Sequence, residues 1–233
     1  MSSTSGTRGF ESTQACVFDA YGTLFDVHSA VSAMQDDIGP EYARFSAAWR
    51  QRQLEYTWLC SLMGEHRDFW RLTSDALSVT LREFTMESSN LHERLMQAYL
   101  KLSAFNEVSG VLALLKRAGL KTAILTNGTP TMIESAVNNS GIGQWLDFQL
   151  SVESVGIFKP DPRVYQLAVD SLGVPANNIA FMSSNVWDAS GAAHFGFNVA
   201  WINRYFQPSE ALPGTPAAML STLSELPPLL GIC

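Results

Sequence analysis

Short apolar segments alternate along most of the chain with longer segments that have the periodicity of a helix. The first apolar segment, Ala15–Phe18, runs directly into Asp19 and then into the turn residues Gly22 and Thr23. A short apolar run that ends at a turn is typical of a buried strand in a parallel sheet. The same pattern predicts further strands at residues 121–125, 148–152, 179–182 and 199–202.

Apolar residues that recur every three or four positions predict the helices. The helices are predicted at residues 42–62, 68–84, 90–102, 107–118, 130–140, 163–172 and 188–195. In the first of them the recurring positions are Phe45, Trp49, Tyr56, Leu59 and Leu62. The first three helices follow one another with no strand between them, which is more chain than a simple crossover needs. We therefore predict a helical cap domain at residues 29–105, inserted into a core domain of residues 15–28 and 106–233.

Strands that alternate with helices of this length predict an α/β fold, a doubly wound and mostly parallel sheet with helices on both faces. The carboxyl ends of such strands meet at one edge, where open α/β sheets bind their ligands. Asp19, Asn127 and Ser183 each follow a strand, and Lys159 lies in a loop that can reach them. Each of these residues alone is more often a helix cap or a turn former. Their occurrence at several strand ends predicts an active site at this edge.

Composition and charge exclude several classes of protein. The 233 residues are 46% hydrophobic and 16% charged, with a formal net charge of −7, as in a globular protein that binds neither nucleic acid nor an anionic membrane surface. No apolar run approaches the roughly 18 residues of a membrane span. Three cysteines without C-x-x-C spacing indicate reduced thiols and a cytoplasmic location. Four scattered histidines predict no zinc site.

The two ends of the chain differ in composition from the rest. Residues 1–14 are rich in Ser, Thr and Gly and contain no apolar core, so we predict a flexible leader and no secretory signal. The tail from Pro208 carries five prolines and predicts a surface loop with short helical pieces.

The polar residues at the strand ends suit a nucleophilic carboxylate. An aspartate attacks carbon or phosphorus when it is ionised and partly desolvated, and the Lys159 ammonium would stabilise the ionised form of Asp19. The Thr23 and Ser183 hydroxyls can donate hydrogen bonds that orient it. The covalent ester must then be hydrolysed by a positioned water, which Asn185 and Asp188 can hold.

Five motifs of the chain resemble those of the haloacid dehalogenase superfamily, and most closely those of the L-2-haloacid dehalogenases. D-A-Y-G-T-L-F-D at residues 19–26 resembles the nucleophile motif of the superfamily. The other four are W-R-Q-R-Q-L-E-Y-T-W-L at 49–59, T-N-G at 126–128, K-P-D-P at 159–162 and S-S-N-V-W-D at 183–188. The resemblance implies a Rossmann-like core, a helical cap, a homodimer and a small haloacid as the substrate.

The resemblance also implies a reaction and the residues that perform it. L-2-Haloacids would be hydrolysed to D-2-hydroxyacids with inversion at C2, through an aspartyl ester on Asp19, while Arg50 and Asn127 accept the departing halide. The catalytic residues that it implies are Asp19, Thr23, Arg50, Lys159, Ser183, Asn185 and Asp188. The residues that it implies for binding substrate or halide are Tyr21, Arg50, Leu54, Phe69, Thr126, Asn127, Tyr165 and Trp187.

A Mg²⁺-dependent phosphatase of the same superfamily is the alternative, and two positions argue against it. Superfamily phosphatases carry D-x-D in the first motif, and the second Asp gives a proton to the leaving alcohol. This chain has Tyr21 at that position. The loss of the acid is tolerable for a halide, which leaves without a proton. The last motif of the phosphatases carries an acidic metal ligand where this chain has Asn185, and a neutral amide holds a hard cation poorly. We therefore predict a reaction without metal or other cofactor. A third reading, a catalytically silent binding protein, is disfavoured by the intact set Asp19, Arg50, Lys159 and Asp188.

Overall fold

The computed structural model describes residues 9–86 and 88–232. Six strands form one sheet, and each neighbouring pair runs parallel. The strands are β1 (Ala15–Phe18), β2 (Lys121–Thr126), β3 (Phe148–Ser151), β4 (Ile179–Ser183), β5 (Asn198–Ile202) and β6 (Ala218–Leu220). The doubly wound α/β fold predicted from the sequence is confirmed.

The order of the strands places the first of them in the middle of the sheet. That order is β3-β2-β1-β4-β5-β6, so the chain builds outward on one side of β1 and then on the other. Ligands of open α/β sheets bind outside the carboxyl ends of the strands at this kind of reversal. Asp19 is the first residue after β1, and the topology therefore puts its side chain at the floor of the crevice.

Helices surround the sheet and fill the segment between β1 and β2. The helices are α1 (Ser29–Ser32), α2 (Gln35–Ile38), α3 (Tyr42–Met63), α4 (Phe69–Glu83), α5 (Ser89–Leu100), α6 (Val108–Arg117), α7 (Pro130–Ser140), α8 (Pro162–Leu172), α9 (Val186–Phe195) and α10 (Leu226–Leu229). Helices α1 to α5 lie within residues 29–105, which we call the cap segment. In the described ranges no helix combines the length and the apolar character that a membrane span requires.

Local sequence signals explain where the helices beside the crevice begin. Pro130 and Pro162 occupy the first turns of α7 and α8, where their missing N–H groups cost no hydrogen bond. Thr129 and Asp161 cap the same two helices, and the Asp161 side chain accepts a hydrogen bond from the backbone N–H of Arg163 at 2.9 Å. The loops at the ends of β2 and before α8 are thus held in place by their own sequences.

The buried face of α3 differs from the face that its apolar pattern predicts. Phe45 and Trp49 are buried as expected, but Leu59 and Leu62 are 51% and 83% exposed. The buried positions are Phe45, Ser46, Trp49, Gln53, Thr57 and Cys60. The polar residues at this face are buried because they hydrogen-bond within the protein, as described below for Gln53.

Three further features depart from the sequence-based expectations. The tail contains a strand, β6, where a loop with helical pieces was expected; at three residues it is too short for a periodic pattern. The short helices α1 and α2 were not predicted. Residues 1–8 of the predicted leader lie outside the described residues, but Phe10 is buried and the backbone N–H of Gln14 donates to Asn178 O at 2.9 Å. The described part of the leader is therefore packed against the core.

Candidate active site

Asp19 and Asp188 share one buried lysine. The Lys159 ammonium donates to Asp19 Oδ1 at 3.2 Å and to Asp188 Oδ2 at 2.9 Å, and only 1% of Lys159 is exposed. Burial is the largest influence on Lys159 and works to lower its pKa, but attraction to Asp188 and then to Asp19 outweighs it, so the pKa lies above its ordinary value. Lys159 is therefore a permanent cation between the two carboxylates.

The second oxygen of Asp19 is held by two neutral donors. Oδ2 accepts hydrogen bonds from Thr23 Oγ1 at 3.0 Å and from Asn185 Nδ2 at 2.8 Å. The Thr23 hydroxyl is itself fixed, because Oγ1 accepts from the backbone N–H of Ser184 at 2.8 Å. With Lys159 on Oδ1, the carboxylate is oriented on both oxygens by hydrogen-bond donors.

Asp188 is a buried carboxylate in the first turn of α9. Burial raises its pKa above the ordinary range, while Lys159 and the Tyr165 hydroxyl oppose that rise. Tyr165 donates to Asp188 Oδ1 at 2.9 Å, and burial followed by the charge of Asp188 raises the pKa of this phenol, so it remains a donor. A carboxylate with a raised pKa is suited to accept a proton in the reaction.

Arg50 reaches the same place from the cap segment. Its Nη2 donates to Tyr21 O at 3.2 Å and to Asn185 Oδ1 at 3.4 Å, and its Nη1 donates to Gln53 Oε1 at 2.7 Å. Asn185 thus bonds Asp19 through its amide nitrogen and Arg50 through its oxygen. The Asn185 side chain thus connects the guanidinium on α3 with the carboxylate that follows β1.

A cavity of about 480 Å³ opens beside these groups, between the cap segment and the strand ends. Six of the side chains that line it are Tyr21, Arg50, Leu54, Trp58, Asn185 and Trp187. Trp58 of α3 and Trp187 of α9 meet edge to face, with ring centroids 5.4 Å apart. The lining thus combines apolar and aromatic side chains with polar ones, among them the Arg50 guanidinium, the Asn185 amide and the Glu210 carboxylate. Apolar walls with a few polar groups are typical of a pocket for a small molecule.

Several residues predicted to bind substrate support the site from behind the cavity. Phe69 is buried and packs against Tyr21, with ring centroids 5.9 Å apart. Tyr165 contacts Asp188, as described above. Thr126 Oγ1 accepts from the backbone N–H of Gly128 at 3.1 Å, which shapes the turn after β2. A side chain at Gly128 would meet the Tyr21 ring at 2.6 Å, so this turn requires glycine.

Two polar residues at strand ends hold loops rather than the carboxylate. Asn127 Oδ1 accepts from the backbone N–H of Lys159 at 3.1 Å and so anchors the loop that carries the lysine. Ser183 Oγ accepts from the backbone N–H of Asn185 at 3.1 Å and fixes the start of α9. The sequence predicts that Ser183 orients Asp19 by a hydrogen bond, but among the described residues Thr23, Asn185 and Lys159 make the hydrogen bonds to that side chain.

The site contains two residues that the sequence did not single out. Gln53 bonds Arg50, and Trp58 lines the cavity. A signal for Gln53 was present, because it follows Trp49 by four residues on the buried face of α3, where a polar side chain needs a partner. Trp58 belongs to the motif at residues 49–59, but no feature of the sequence indicates that its side chain lines the cavity.

The residues present do not fit a magnesium ion. A divalent cation beside Asp19 would need oxygen ligands. The nearby oxygens Tyr21 O and Asn185 Oδ1 both accept from Arg50 Nη2, so a guanidinium already lies against them and would repel the cation. No group of three or more His, Cys, Asp or Glu side chains suited to a metal ion occurs in the part of the chain that the structure describes.

Comparison with known proteins identifies the family. The model of the haloacid dehalogenase-like hydrolases matches residues 13–196. The chain is 48% identical to (S)-2-haloacid dehalogenase 4A of Burkholderia cepacia over 221 residues, which cover 94% of this chain and 96% of the relative. It is also 48% identical to (S)-2-haloacid dehalogenase 1 of Pseudomonas sp. (strain CBS-3) over 218 residues, 93% of this chain and 96% of the relative.

Solved structures agree with the sequence relatives. A crystal structure of a dehalogenase superposes with a TM-score of 0.93 at 48% identity, covering 94% of this chain and 98% of the other. The L-2-haloacid dehalogenase from Xanthobacter autotrophicus, with chloropropionic acid covalently bound, superposes with a TM-score of 0.88 at 35% identity and the same coverage. The chain belongs to the haloacid dehalogenase-like hydrolases, and within them to the group of the (S)-2-haloacid dehalogenases. The hydrolase class and the family predicted from the motifs are confirmed.

Proposed function

We propose that this protein hydrolyses L-2-haloacids to D-2-hydroxyacids with inversion at C2, through a covalent ester on Asp19. The observation that carries the proposal is the placement of an oriented carboxylate and a guanidinium on the two ends of Asn185, beside one cavity. Two relatives at 48% identity are (S)-2-haloacid dehalogenases, which supports dehalogenation of a 2-haloacid. The substrate would be a small haloacid.

In the first step an Asp19 oxygen attacks C2 on the side opposite the halogen. A carbon–oxygen bond forms while the carbon–halogen bond breaks, and the electron pair departs on the halide. Attack from the back inverts C2. The halide needs no proton, and Arg50 can stabilise its negative charge with several N–H donors. Tyr21, which stands where a phosphatase has an acid, suits such a leaving group.

In the second step water attacks the carboxyl carbon of the Asp19 ester. Asp188 accepts a proton from the water and returns it to the oxygen of the hydroxyacid as the bond between that oxygen and the carboxyl carbon breaks. The second proton leaves to solvent when Asp19 is restored as a carboxylate. The bond between C2 and its oxygen is never broken, so the inverted configuration is kept. The raised pKa of the buried Asp188 favours its role as the base.

The activity is tested by release of halide from L- and D-2-chloropropionate, with and without EDTA. We expect chloride and D-lactate from the L substrate alone, with no loss in EDTA. The alternative, a Mg²⁺-dependent phosphatase, is tested in the same experiment with a small phosphate ester. Magnesium-dependent release of phosphate without release of halide would overturn the proposal in favour of that alternative.

The covalent step is tested with Asp19→Asn and with labelled water. The amide is a poor nucleophile, so we expect this variant to release no halide. Asp170→Asn, an exposed substitution of the same kind on α8, should retain wild-type activity. In a single turnover of the wild type in H₂¹⁸O, mass spectrometry should find the label in the peptide that contains Asp19. Label found only in the hydroxyacid would mean that water attacks C2 directly.

We also propose that the protein is a homodimer. Leu59, Leu62 and Met63 at the end of α3 are 51%, 83% and 67% exposed, and neighbouring large apolar side chains at a surface are typical of an interface. Light scattering during size-exclusion chromatography measures the mass of the assembly. The cytoplasmic location and the division into core and cap domains stay predictions from the sequence.

A further inference from the structure

We propose that Gln53 is a positioning residue of the halide site, which holds the Arg50 guanidinium at the cavity and leaves its positive charge available to an anion. The proposal rests on the proposed function in one respect, because it assigns Arg50 to the departing halide. Gln53 lies on α3 three residues after Arg50, and side chains at this spacing are neighbours on a helix. The distance from Arg50 Nη1 to Gln53 Oε1 is 2.7 Å.

The orientation of the Gln53 amide follows from its other partner. Gln53 Nε2 lies 2.6 Å from Thr73 Oγ1, and the Thr73 hydroxyl donates its own hydrogen to Phe69 O at 2.6 Å. Thr73 Oγ1 can therefore only accept from Gln53, so the group that faces it must be the NH₂ of the amide. The amide oxygen therefore faces Arg50. A guanidinium has only N–H donors, so its partner must be an acceptor such as this oxygen.

The anchor of Gln53 extends over three helices of the cap segment. Thr73 belongs to α4, and its carbonyl oxygen accepts from Trp49 Nε1 of α3 at 3.0 Å. Tyr99 of α5 lies within hydrogen-bond distance of both ends of the amide, at 3.2 Å from Nε2 and 3.3 Å from Oε1. Gln53 is 1% exposed, so no solvent competes for these bonds. The amide can rotate only at the loss of several buried hydrogen bonds.

Within the described residues, the hydrogen-bond acceptors of Arg50 are neutral oxygens. Gln53 Oε1, Tyr21 O and Asn185 Oδ1 orient the guanidinium without compensating its charge. None of the salt bridges found in residues 9–86 and 88–232 includes Arg50. A glutamate at position 53 would form a buried ion pair with Arg50 and compete with the halide for the same charge. The amide therefore combines firm positioning with a free positive charge.

The first test measures chloride binding directly, from the broadening of the ³⁵Cl NMR line by the protein. We expect Gln53→Glu to weaken binding by more than about tenfold, because the introduced carboxylate pairs with Arg50. Thr73→Val removes the acceptor that fixes the amide and should weaken binding by about three- to tenfold. This second variant keeps the test valid if the buried glutamate prevents folding.

Thr80→Val is the matched control. Thr80 is also buried on α4, and its hydroxyl donates to the carbonyl oxygen of Ala76, four residues earlier, as that of Thr73 donates to Phe69. Gln53 makes its bond with Thr73 and not with Thr80. Both valine variants should lose similar stability, and we expect only Thr73→Val to change chloride binding.

The second test uses the leaving group, which a merely structural role would not affect. Chloride leaves carbon less readily than bromide and depends more on stabilisation by Arg50. We therefore expect the ratio of kcat/KM for L-2-bromopropionate over L-2-chloropropionate to rise at least about threefold in Thr73→Val and to stay at the wild-type value in Thr80→Val.

Two outcomes would overturn the proposal. The first is wild-type chloride binding in Gln53→Glu and Thr73→Val; the second is a wild-type protein that binds no chloride. Failure of the proposed function gives a different result. In that case the wild type binds chloride but releases no halide from any haloacid. The role of Gln53 is then still tested by comparing chloride binding between the wild type and the variants.

Discussion

The two sides of the cavity hold their charged groups by different means. On the core side, Asp19 follows β1, Lys159 lies in the loop before α8 and Asp188 lies in the first turn of α9. All three are buried, and they hold one another through charge. On the cap side, Arg50 is half-buried on α3 and is oriented by neutral oxygens. The proposed nucleophile thus belongs to a cluster of paired charges. The residue proposed to receive the halide makes no salt bridge among the described residues.

This difference predicts how each side responds to substitution. In the core cluster one ammonium serves two carboxylates, so a single substitution changes the ionisation of the others. On the cap side each oxygen contributes separately to the direction of the guanidinium, so substitutions should have graded effects on leaving-group and substrate preference. The expected effects therefore decrease from the core cluster to the cap wall.

Lys159→Met is expected to have the largest effect. Removal of the ammonium leaves Asp19 and Asp188 buried without a counter-charge, and one carboxylate must then take up a proton. We expect halide release to fall by at least about a thousandfold and the free energy of unfolding to fall by about 3–5 kcal/mol. The measurements are halide release and denaturant unfolding monitored by circular dichroism.

Lys116→Met is the matched control for this prediction. Lys116 also pairs with a carboxylate, that of Asp147 at 2.6 Å, but about a third of each side chain is exposed. An exposed pair contributes at most about 1 kcal/mol, so activity should not change and stability should change little. Equal effects of the two substitutions on activity would show that the buried charge cluster has no special role.

Tyr165→Phe should change the pH dependence on the core side. Asp188, the proposed base, can accept a proton only when it is ionised, so activity is expected to fall as the pH decreases through its raised pKa. The Tyr165 hydroxyl stabilises the ionised form by a hydrogen bond, so its loss should raise the pKa of Asp188 further. The acid limb of the kcat profile then moves to higher pH, with little change of rate on the plateau.

Tyr99→Phe gives the corresponding substitution on the cap side. Tyr99 is a buried tyrosine that contacts Gln53 and stacks on the Tyr21 ring, with centroids 5.6 Å apart. It makes no hydrogen bond with Asp188 among the described residues. We expect a lower rate with an unchanged acid limb. A shift of the acid limb in this variant and not in Tyr165→Phe would reverse the assignment of the two sides.

The core side could largely be predicted from the sequence, because sequence-local signals determine it. The sequence predicts a short apolar strand before Asp19 and another before Asn127, and the structure contains both strands. Parallel topology then brings the strand ends together. Lys159 was placed in the right loop because Asp161 and Pro162 mark the start of α8. The sequence analysis predicts the contact of Lys159 with Asp19 but not its contact with Asp188.

The cap side could be predicted only in part, because packing between helices determines it. The apolar period of α3 pointed to Leu59 and Leu62, yet both are exposed, while Gln53 and Thr57 are buried. Which face of an amphipathic helix is buried depends on α4 and α5, and their positions relative to α3 are not encoded in any short segment. The family resemblance, and not the apolar period, implies Phe69 as a pocket residue; in the structure it is buried and its ring packs against Tyr21.

Leu54→Ala is expected to have the smallest effect and to act on substrate choice alone. Leu54 is a half-buried wall residue of the cavity on α3 and contacts no member of the charge cluster by hydrogen bond or ion pair in the described ranges. Its truncation makes room for one more methylene, worth about 0.8 kcal/mol. We expect kcat/KM for L-2-chlorobutyrate relative to L-2-chloropropionate to rise about fourfold. The exposed Leu62→Ala on the same helix is the control, and its ratio should equal that of the wild type. A Leu54 variant that instead lost activity equally on both acids would mean that the cap wall acts on the chemical step, and the separation between the two sides of the cavity would fail.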